Sequence, residues 1–444
     1  MEVVLMRRLS RKDQLFVGIT LFSMFFGAGN LIFPPVLGLS AGTAVPWAFA
    51  GLAVSAVGLP ILGVIAVARS GGLSVLAGRV GKRFAAVFTM LIYLSIGPCL
   101  AIPRTASTSF EMAVTPFLPA GAPAALFQAL YSVVFFAAAL SLALRPSQLV
   151  DWLGKRLAPT LLVLIGVLFV GCLLHAGHPL ETPTAAYAAS PAGEGFLYGY
   201  QTMDAIAALI FGIVLTLNIQ AKGVTETKDV VRSIVRASWL AAALFLTVYG
   251  ALTYIGATHG DPAAENGAQI LSGAARSLFG SAGSVILAAI FVIACLNTCI
   301  SLISCCGQYF AGLFPRFSYR SWAVFFAVVS AVISNAGLNL ILKLSVPVLN
   351  CLYPAAIALI LLAFLPDRLQ KRPLLYPLTV GLAAVFGTLY ALAQTGLRLP
   401  VLTALAEALP LYGTGLGWLL PAALGALAGL LLPLKGGRDP ETGG

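Results

Sequence analysis

Apolar runs of about 20 residues recur along the whole chain, and this feature limits the folds that it can adopt. Of the 444 residues, 59% are hydrophobic and only 9% are charged, about a third of the charged share of a soluble domain. A run of about 20 apolar residues crosses the hydrocarbon core of a bilayer as a helix. The composition therefore predicts an all-α polytopic membrane protein without a sizeable soluble domain.

The runs predict twelve transmembrane helices. Their expected bounds are Leu15–Leu39, Pro46–Val67, Phe84–Glu111, Ala124–Leu144, Pro159–His175, Thr202–Ile219, Ala237–Ala257, Ser284–Phe310, Trp322–Leu342, Val346–Leu365, Leu375–Gln394 and Tyr412–Leu432. The first run is longer than the apolar core of a signal peptide, so we interpret it as a retained helix.

The positive charges support this number of helices. With twelve helices both termini lie on one side of the membrane, and that side holds all but four of the 26 Lys and Arg residues. The four exceptions are Arg104, Arg276, Lys343 and Arg398. The positive-inside rule therefore predicts that both termini face the cytoplasm. The same bias accounts for the net charge of +11, so no nucleic-acid partner is expected.

The middle of the first helix is poorly suited to a continuous helix. Gly27-Ala28-Gly29-Asn30 lies there, and Pro34 and Pro35 follow. Glycine and proline both weaken a helix, and unpaired backbone at this depth is tolerated only inside the protein or around a cavity. We therefore predict a break whose free amides bind a carboxylate. Carbonyl oxygens of the inner half-helix and the Asn30 side chain would face a cation or an ammonium group. Close packing of helices through the two glycines is the alternative.

Two further segments lie at a similar depth and predict interruptions, Phe211-Gly212 in helix six and Ala294–Thr298 in helix eight. Helices one and six are five apart, so they cross the membrane in opposite directions. Broken helices that open two oppositely oriented five-helix blocks are typical of an inverted repeat. The prediction is one transporter domain, 1–444, with repeats at 15–175 and 202–365 and two additional helices within 375–432.

Helix eight carries neutral oxygen side chains near its middle, at Asn297, Thr298 and Ser301. Sodium is a hard cation and prefers oxygen ligands, whereas hydroxyl groups that bond to their own helix backbone are the alternative. The seven cysteines lie in apolar segments without a Cys-x-x-Cys motif. We expect them to be free thiols rather than disulfides or metal ligands.

Charged residues within the membrane are costly and need a partner. Arg104 and Glu111 are seven residues apart, on one face of helix three, and Asp204 opens helix six. We expect an ion-pair cluster at the outer end of the helices. An extracellular gate and a carboxylate relay for protons are the alternatives.

Two other classes of membrane protein fit the sequence less well. A channel usually needs a repeated selectivity loop, and an intramembrane enzyme needs a nucleophile with its base or a metal cluster. Neither pattern is present, and there is no His-Glu-x-x-His motif. We therefore expect a carrier without enzymatic activity or an organic cofactor.

Four segments together resemble the branched-chain amino acid:cation symporters, the BrnQ-type carriers. They read LFSMFFGAGNLIFPP, IGPCLAIPRTASTSFE, TMDAIAALIFGIV and IACLNTCISLISCCGQYF. The resemblance covers essentially the whole chain and implies the leucine-transporter fold, in which helices one and six are unwound. It further implies symport of leucine, isoleucine and valine with sodium across a bacterial inner (plasma) membrane, by alternating access. Proton coupling or a different amino-acid selectivity is the alternative.

The resemblance also assigns residues. Gly27 to Asn30 are similar to the Gly-x-Gly-Asn of sodium-coupled carriers with this fold. In those carriers the backbone amides around the second glycine hold the substrate carboxylate, which implies the same role for the amides of Ala28 and Gly29 in this chain. The sodium ligands implied are Ser23, Phe26, Ala294, Asn297 and Thr298, with Asn297 in place of the usual hydroxyl.

A branched aliphatic side chain needs an apolar pocket, which Ile96, Ile102, Phe211 and Leu302 could supply beside Gly212. We expect charged amino acids to be rejected because no buried counter-charge is foreseen at this depth. The expected partners are the amino-acid substrate and membrane lipid.

Overall fold

The computed structural model describes residues 9–119, 121–145 and 153–432. Within these ranges the regular structure is helical, with no strand. The α-helices are α1 (Arg11–Phe25), α2 (Ala28–Ala41), α3 (Val45–Ala53), α4 (Leu59–Ser70), α5 (Leu73–Gly78), α6 (Lys82–Leu94), α7 (Ala101–Ala113), α8 (Ala124–Ala143), α9 (Ala158–Leu174), α10 (Ala185–Ala189), α11 (Pro191–Tyr200), α12 (Asp204–Ala221), α13 (Thr227–His259), α14 (Gly267–Leu313), α15 (Tyr319–Ser334), α16 (Leu338–Leu362), α17 (Asp367–Gln370), α18 (Leu375–Gln394), α19 (Pro400–Glu407) and α20 (Leu419–Leu431).

Each of the twelve predicted segments is helical over most of its length. In the described part of the chain, nine helical stretches are long and apolar enough to cross a membrane. One of them, Ala28–Ser70, joins α2 to α3 and α4, and α15 and α20 are shorter apolar helices. The all-α membrane architecture is therefore as predicted.

Several helices start where a polar side chain caps the first turn. Ser10 Oγ accepts a hydrogen bond from the amide of Asp13 at 3.0 Å, and Asn266 Oδ1 accepts one from the amide of Gln269 at 3.0 Å. Ser318 Oγ accepts from the amide of Ser321 at 3.2 Å. Such caps satisfy amides that have no partner within the helix. They fix the first turns of α1, α14 and α15.

The predicted break in the first helix is confirmed. Helix α1 ends at Phe25 and α2 begins at Ala28, with extended backbone at Phe26 and Gly27 between them. Pro34 and Pro35 lie inside α2 and do not end it. The break therefore follows the glycines rather than the prolines.

The second break lies in helix six, as predicted, but not at the predicted residues. Helix α11 ends at Tyr200 and α12 begins at Asp204, and Met203 between them has a left-handed φ of 68°. Phe211 and Gly212 are buried inside the continuous α12. A Cβ at Gly212 would lie 2.9 Å from Cβ of Val67, so this glycine allows close packing against α4 instead of a break.

The predicted interruption of helix eight at Ala294–Thr298 is wrong. These residues lie in α14, whose non-helical residue is Gly280, with a φ of 57°. The backbone of α14 stays helical through these residues. The side chain of Asn297 instead donates to Oγ of Ser23 in α1. Helix three is bent instead, at Ser95–Cys99, where Gly97 is non-helical and Pro98 follows. This kink between α6 and α7 has an ordinary cause, a proline beside a glycine.

Helices nine and ten also differ from their predicted bounds, Trp322–Leu342 and Val346–Leu365. The structure ends α15 at Ser334 and starts α16 at Leu338. Gly337 between them has a φ of 87°, a conformation that often terminates helices. The boundary therefore lies several residues before the predicted one.

The helices form two compact units, whose boundaries follow Arg69, Met90 and Val346. The first unit contains α1–α3, α4 except its last residue Ser70, and α7–α15, and the second contains α5 and α17–α20. Helices α6 and α16 are each divided between the two. The partition into two repeats and two additional helices stays a prediction.

Inside the first unit, α1 packs on α13 through aromatic rings. The ring centroids of Phe22 and Phe245 are 4.8 Å apart, and those of Phe22 and Phe26 are 4.9 Å apart. Phe25 meets Phe211 of α12 edge-on, at 5.0 Å. This packing holds the inner end of the first break against helix six.

Candidate functional site

The breaks of helices one and six meet through a group of buried polar side chains. Nδ2 of Asn30 donates hydrogen bonds to Oδ2 of Asp204 and to the hydroxyl of Tyr249, each at 2.5 Å. The Tyr249 hydroxyl also donates to Asp204 Oδ2, at 3.1 Å. Oδ1 of Asn30 accepts from the amide of Gly27 at 3.1 Å. Asn30 therefore caps its own half-helix and joins it to α12 and α13.

Arg104 reaches the same place from helix three. Its Nη1 donates to the carbonyl of Gln201 at 2.8 Å and its Nη2 to the carbonyl of Thr202 at 3.3 Å. These carbonyls belong to the break of helix six, where the backbone leaves helical geometry. The guanidinium carbon lies 5.7 Å from the ring centroid of Phe33 in α2. A buried arginine thus bonds the second break and contacts α2, the half-helix that follows the first break.

A narrow cavity lies where these elements converge. Its volume, measured as the space open to the centre of a water molecule, is about 20 Å³, room for about one water. Its wall consists of Phe25, Gly27, Ala28, Gly29, Asn30, Ile96, Ala101, Arg104, Thr105, Thr202, Met203, Asp204, Ala207, Phe211, Thr298 and Leu302. The wall is therefore contributed by both breaks, by helix three and by helix eight.

Most of the predicted substrate residues line this cavity. They include Gly27 to Asn30 together with Ile96, Phe211 and Leu302. Ile102 and Gly212 are not part of the wall. Ile102 is fully buried, and its carbonyl accepts a hydrogen bond from Thr105 Oγ1 at 2.6 Å. It lies in the same turn of α7 as the wall residues Ala101, Arg104 and Thr105, but on a different face of the helix.

The predicted cation residues lie where helix one faces helix eight. Nδ2 of Asn297 donates to Oγ of Ser23 at 2.9 Å. Asn297 Oδ1 and Thr298 Oγ1 are buried and have no hydrogen-bond partner among the described residues. A Cβ at Gly27 would lie 2.4 Å from Thr298 Oγ1. Two uncommitted oxygens therefore lie against the end of α1.

The remaining predicted cation residues are also packed inside the protein. Phe26 and Ala294 are fully buried, like Ser23. Ser301, by contrast, donates its hydroxyl to the carbonyl of Asn297 at 2.9 Å. For this residue the alternative of a bond to its own helix is correct.

The expected ion pairing of Arg104 is found in part, since its positive charge acts on the carboxylate of Asp204. Arg104 and Asp204 lie beside the breaks, at 4% and 3% exposure, rather than at the outer end. Glu111 is half-buried and lies outside the cavity wall, because seven residues place it two turns of α7 further along. The expectation that no buried counter-charge is available near the pocket is therefore wrong.

Several wall residues were not predicted from the sequence, and Tyr249 behind the wall was also missed. Phe25, Thr105, Thr202 and Met203 line the cavity, and Tyr249 is fully buried in α13. A hydroxyl in an apolar helix needs a partner, but α13 carries several others, among them Ser238, Thr247, Thr253 and Tyr254, so the sequence does not single out Tyr249. The position of Thr202 and Met203 depends on the break of helix six, whereas Phe25 and Thr105 reach the wall from α1 and α7.

Comparisons with known proteins agree with this architecture. The sequence model of the family described as branched-chain amino acid transport protein matches residues 10–435. The branched-chain amino acid permease BraB of Bacillus subtilis (strain 168) is 40% identical over 95% of this chain and 96% of its own length. The branched-chain amino acid permease BrnQ of the same strain is 38% identical, over 96% of this chain and 98% of its own.

A solved structure has the same fold at low sequence identity. It is Mhp1, a nucleobase-cation-symport-1 family transporter, in a closed conformation with bromovinylhydantoin bound. The TM-score is 0.58 at 14% identity, over 94% of this chain and 91% of that chain. The predicted leucine-transporter fold, with broken helices one and six, is thereby confirmed.

Proposed function

Because the chain belongs to the branched-chain amino acid transport protein family, we propose that it imports leucine, isoleucine and valine by symport with sodium, through alternating access. It is a transporter and not an enzyme, as the names of its permease relatives indicate. The observation that carries the proposal is the cavity in which both broken helices meet beside two uncommitted oxygens. Both termini would face the cytoplasm, in the inner membrane of a bacterium.

The first turn of α2 is suited to the substrate carboxylate. The amides of Ala28 and Gly29 begin this half-helix and lie at its positive end. A Cβ at Gly29 would lie 2.7 Å from Nη2 of Arg104 and 3.2 Å from Cα of Thr202. The absence of a side chain at Gly29 therefore lets the Arg104 guanidinium and the backbone of Thr202 approach these amides closely.

The opposite part of the wall is apolar and suits a branched side chain. Phe25, Ile96, Phe211 and Leu302 contribute it. The present volume of about 20 Å³ is far smaller than leucine, so substrate entry requires these helices to separate. The two breaks allow this, because each half-helix can tilt without bending continuous backbone.

The uncommitted oxygens support sodium as the coupling ion. A buried oxygen without a hydrogen bond costs about 1–3 kcal/mol, and a bound cation would remove this cost at both Asn297 Oδ1 and Thr298 Oγ1. The hydroxyl of Ser23 and the carbonyls of Phe26 and Ala294 would complete an oxygen shell of the kind that hard cations prefer. Proton coupling is the second candidate, because the buried carboxylate of Asp204 could carry a proton.

The experiment that tests the proposal is uptake of radiolabelled leucine into proteoliposomes. Sodium and proton gradients are imposed separately, with a potassium gradient as the control. We expect accumulation that follows the sodium gradient and saturates with leucine concentration. If accumulation follows the proton gradient alone, protons and not sodium are the coupling ion. If no gradient drives accumulation, the transport proposal is rejected.

Competition experiments will report on the apolar wall. Leucine and isoleucine contain the same number of carbons, so they should compete with similar affinity. Valine should bind at most about 1–3 kcal/mol more weakly, the value of one methylene in an apolar pocket. Lysine and glutamate should compete poorly, because their charged side chains would have to enter the apolar wall. Competition by lysine or glutamate as strong as that by isoleucine would contradict this assignment of the wall.

A further inference from the structure

The cavity wall carries two opposite charges. Among the residues that form it, Arg104 and Asp204 are the ones with a charged side chain, and both are more than nine-tenths buried. A buried charge is costly unless an opposite charge or suitable hydrogen bonds compensate it. Besides the backbone dipoles at the two breaks, the wall therefore offers a ligand two charged side chains.

The carboxylate of Asp204 is held in place by neutral donors. Both the amide of Asn30 and the hydroxyl of Tyr249 donate to Oδ2, so neither of these bonds uses Oδ1. The positive charge of Arg104 also acts on this carboxylate, but both Nη atoms of Arg104 donate to carbonyls of the second break. A cationic ligand in the cavity would supply a second positive charge beside Asp204.

The positive group lies at a neighbouring point of the wall. Nη2 of Arg104 adjoins Gly29, at 2.7 Å from the position of a Cβ, and the next residue, Asn30, contacts Asp204. The ammonium and carboxylate groups of an α-amino acid are bonded to the same carbon. Their binding groups must therefore also be neighbours, as Arg104 and Asp204 are here.

We propose that Asp204 is the counter-charge for the α-ammonium group of the substrate, and that Arg104 with the first amides of α2 receives the α-carboxylate. This inference rests on the proposed transport of amino acids and deepens it. It limits the ligands to those with both charged groups on one carbon. Branched 2-oxo and 2-hydroxy acids with the same carbon skeleton are excluded.

The first test uses the unmodified protein, so that folding of a variant cannot affect it. Radiolabelled leucine is displaced at saturating sodium by unlabelled leucine, by 4-methyl-2-oxopentanoate, which lacks the ammonium, and by leucinol, which lacks the carboxylate. We expect both analogues to bind about 100-fold more weakly or worse, since buried groups built to pair with the missing group are left unpaired. A 2-oxo acid that competes as well as leucine would overturn the inference while leaving transport of leucine intact. Absence of leucine binding itself would instead reject the proposed function.

The second test assigns the ammonium requirement to Asp204. Asp204→Asn keeps the size of the side chain and removes its charge, so the affinity for leucine should fall by about 100-fold. The ratio of leucine affinity to 2-oxo acid affinity should fall by the same factor, a change that a merely structural role would not produce. Glu111→Gln is the matched control, because it makes the same chemical change outside the cavity wall, and both values should stay unchanged. An Asp204→Asn protein that keeps both values and loses its response to an ion gradient would assign Asp204 to ion coupling and overturn the inference.

Discussion

Replacing Gly29 with leucine is expected to abolish substrate binding while sodium binding persists. A Cβ at this position would already lie 2.7 Å from Nη2 of Arg104, and the rest of the side chain would fill a cavity of about 20 Å³. The proposed sodium ligands lie on the other side of the break, around Ser23 and Asn297. Binding of radiolabelled leucine and of radiolabelled sodium to the purified protein would measure the two effects separately.

A matched control for this variant is Gly166→Leu. Gly166 also lies in a helix, α9, and a Cβ there would meet no atom within 4 Å. The control should therefore retain leucine binding. If Gly29→Leu binds leucine with an affinity close to that of the unmodified protein, the carboxylate is not held at the first turn of α2.

Thr298→Ala should raise the sodium requirement and leave the shape of the amino-acid pocket unchanged. The substitution removes a buried oxygen that has no hydrogen-bond partner among the described residues. Since an interaction with a charged partner contributes about 1.5–3 kcal/mol, the sodium concentration needed should rise by about 10-fold to 100-fold. Leucine affinity should recover at saturating sodium, because the coupling between two ligands is reciprocal.

Titration of leucine binding at several sodium concentrations would measure this coupling. Thr247→Ala is the control, since its hydroxyl donates to the carbonyl of Ala243 at 2.8 Å on the exposed side of α13. We expect the control to keep the original sodium dependence. An unchanged sodium dependence in Thr298→Ala would show that helix eight does not hold the coupling ion.

The first break could be predicted from the sequence because local residues cause it. Gly27 and Gly29 disfavour a helix at a depth where apolar side chains otherwise continue, and Asn30 caps the half-helix that follows. Each of these contributions acts over only a few residues. The sequence alone was therefore enough to predict the position of the first break.

The second break could not be located in the same way. Gln201, Thr202 and Met203 include neither glycine nor proline, and Arg104 from a distant helix bonds the carbonyls of the first two. Gly212 predicted the break at the wrong position, because the absence of a side chain there allows close packing against Val67 instead. Tertiary contacts thus decide where this helix is interrupted, and local propensity does not.

Helix eight shows the converse case. Asn297 and Thr298 were expected to interrupt it, yet α14 passes through them. Their side chains point to helix one, where Asn297 bonds Ser23. The residue types indicated a polar site correctly, because oxygen side chains in an apolar helix need partners. They did not indicate a break in the helix, because these side chains make their contacts while the backbone of α14 stays helical.

The narrowness of the cavity has a consequence for the affinities that any binding experiment will measure. A space of about 20 Å³ does not admit leucine, so only the fraction of molecules with a wider cavity can bind. The apparent dissociation constant is the intrinsic constant divided by that fraction, so a fraction of about 1% weakens apparent binding by about 100-fold. Substitutions far from the cavity that favour separated helices should therefore tighten leucine binding without adding a single contact to it.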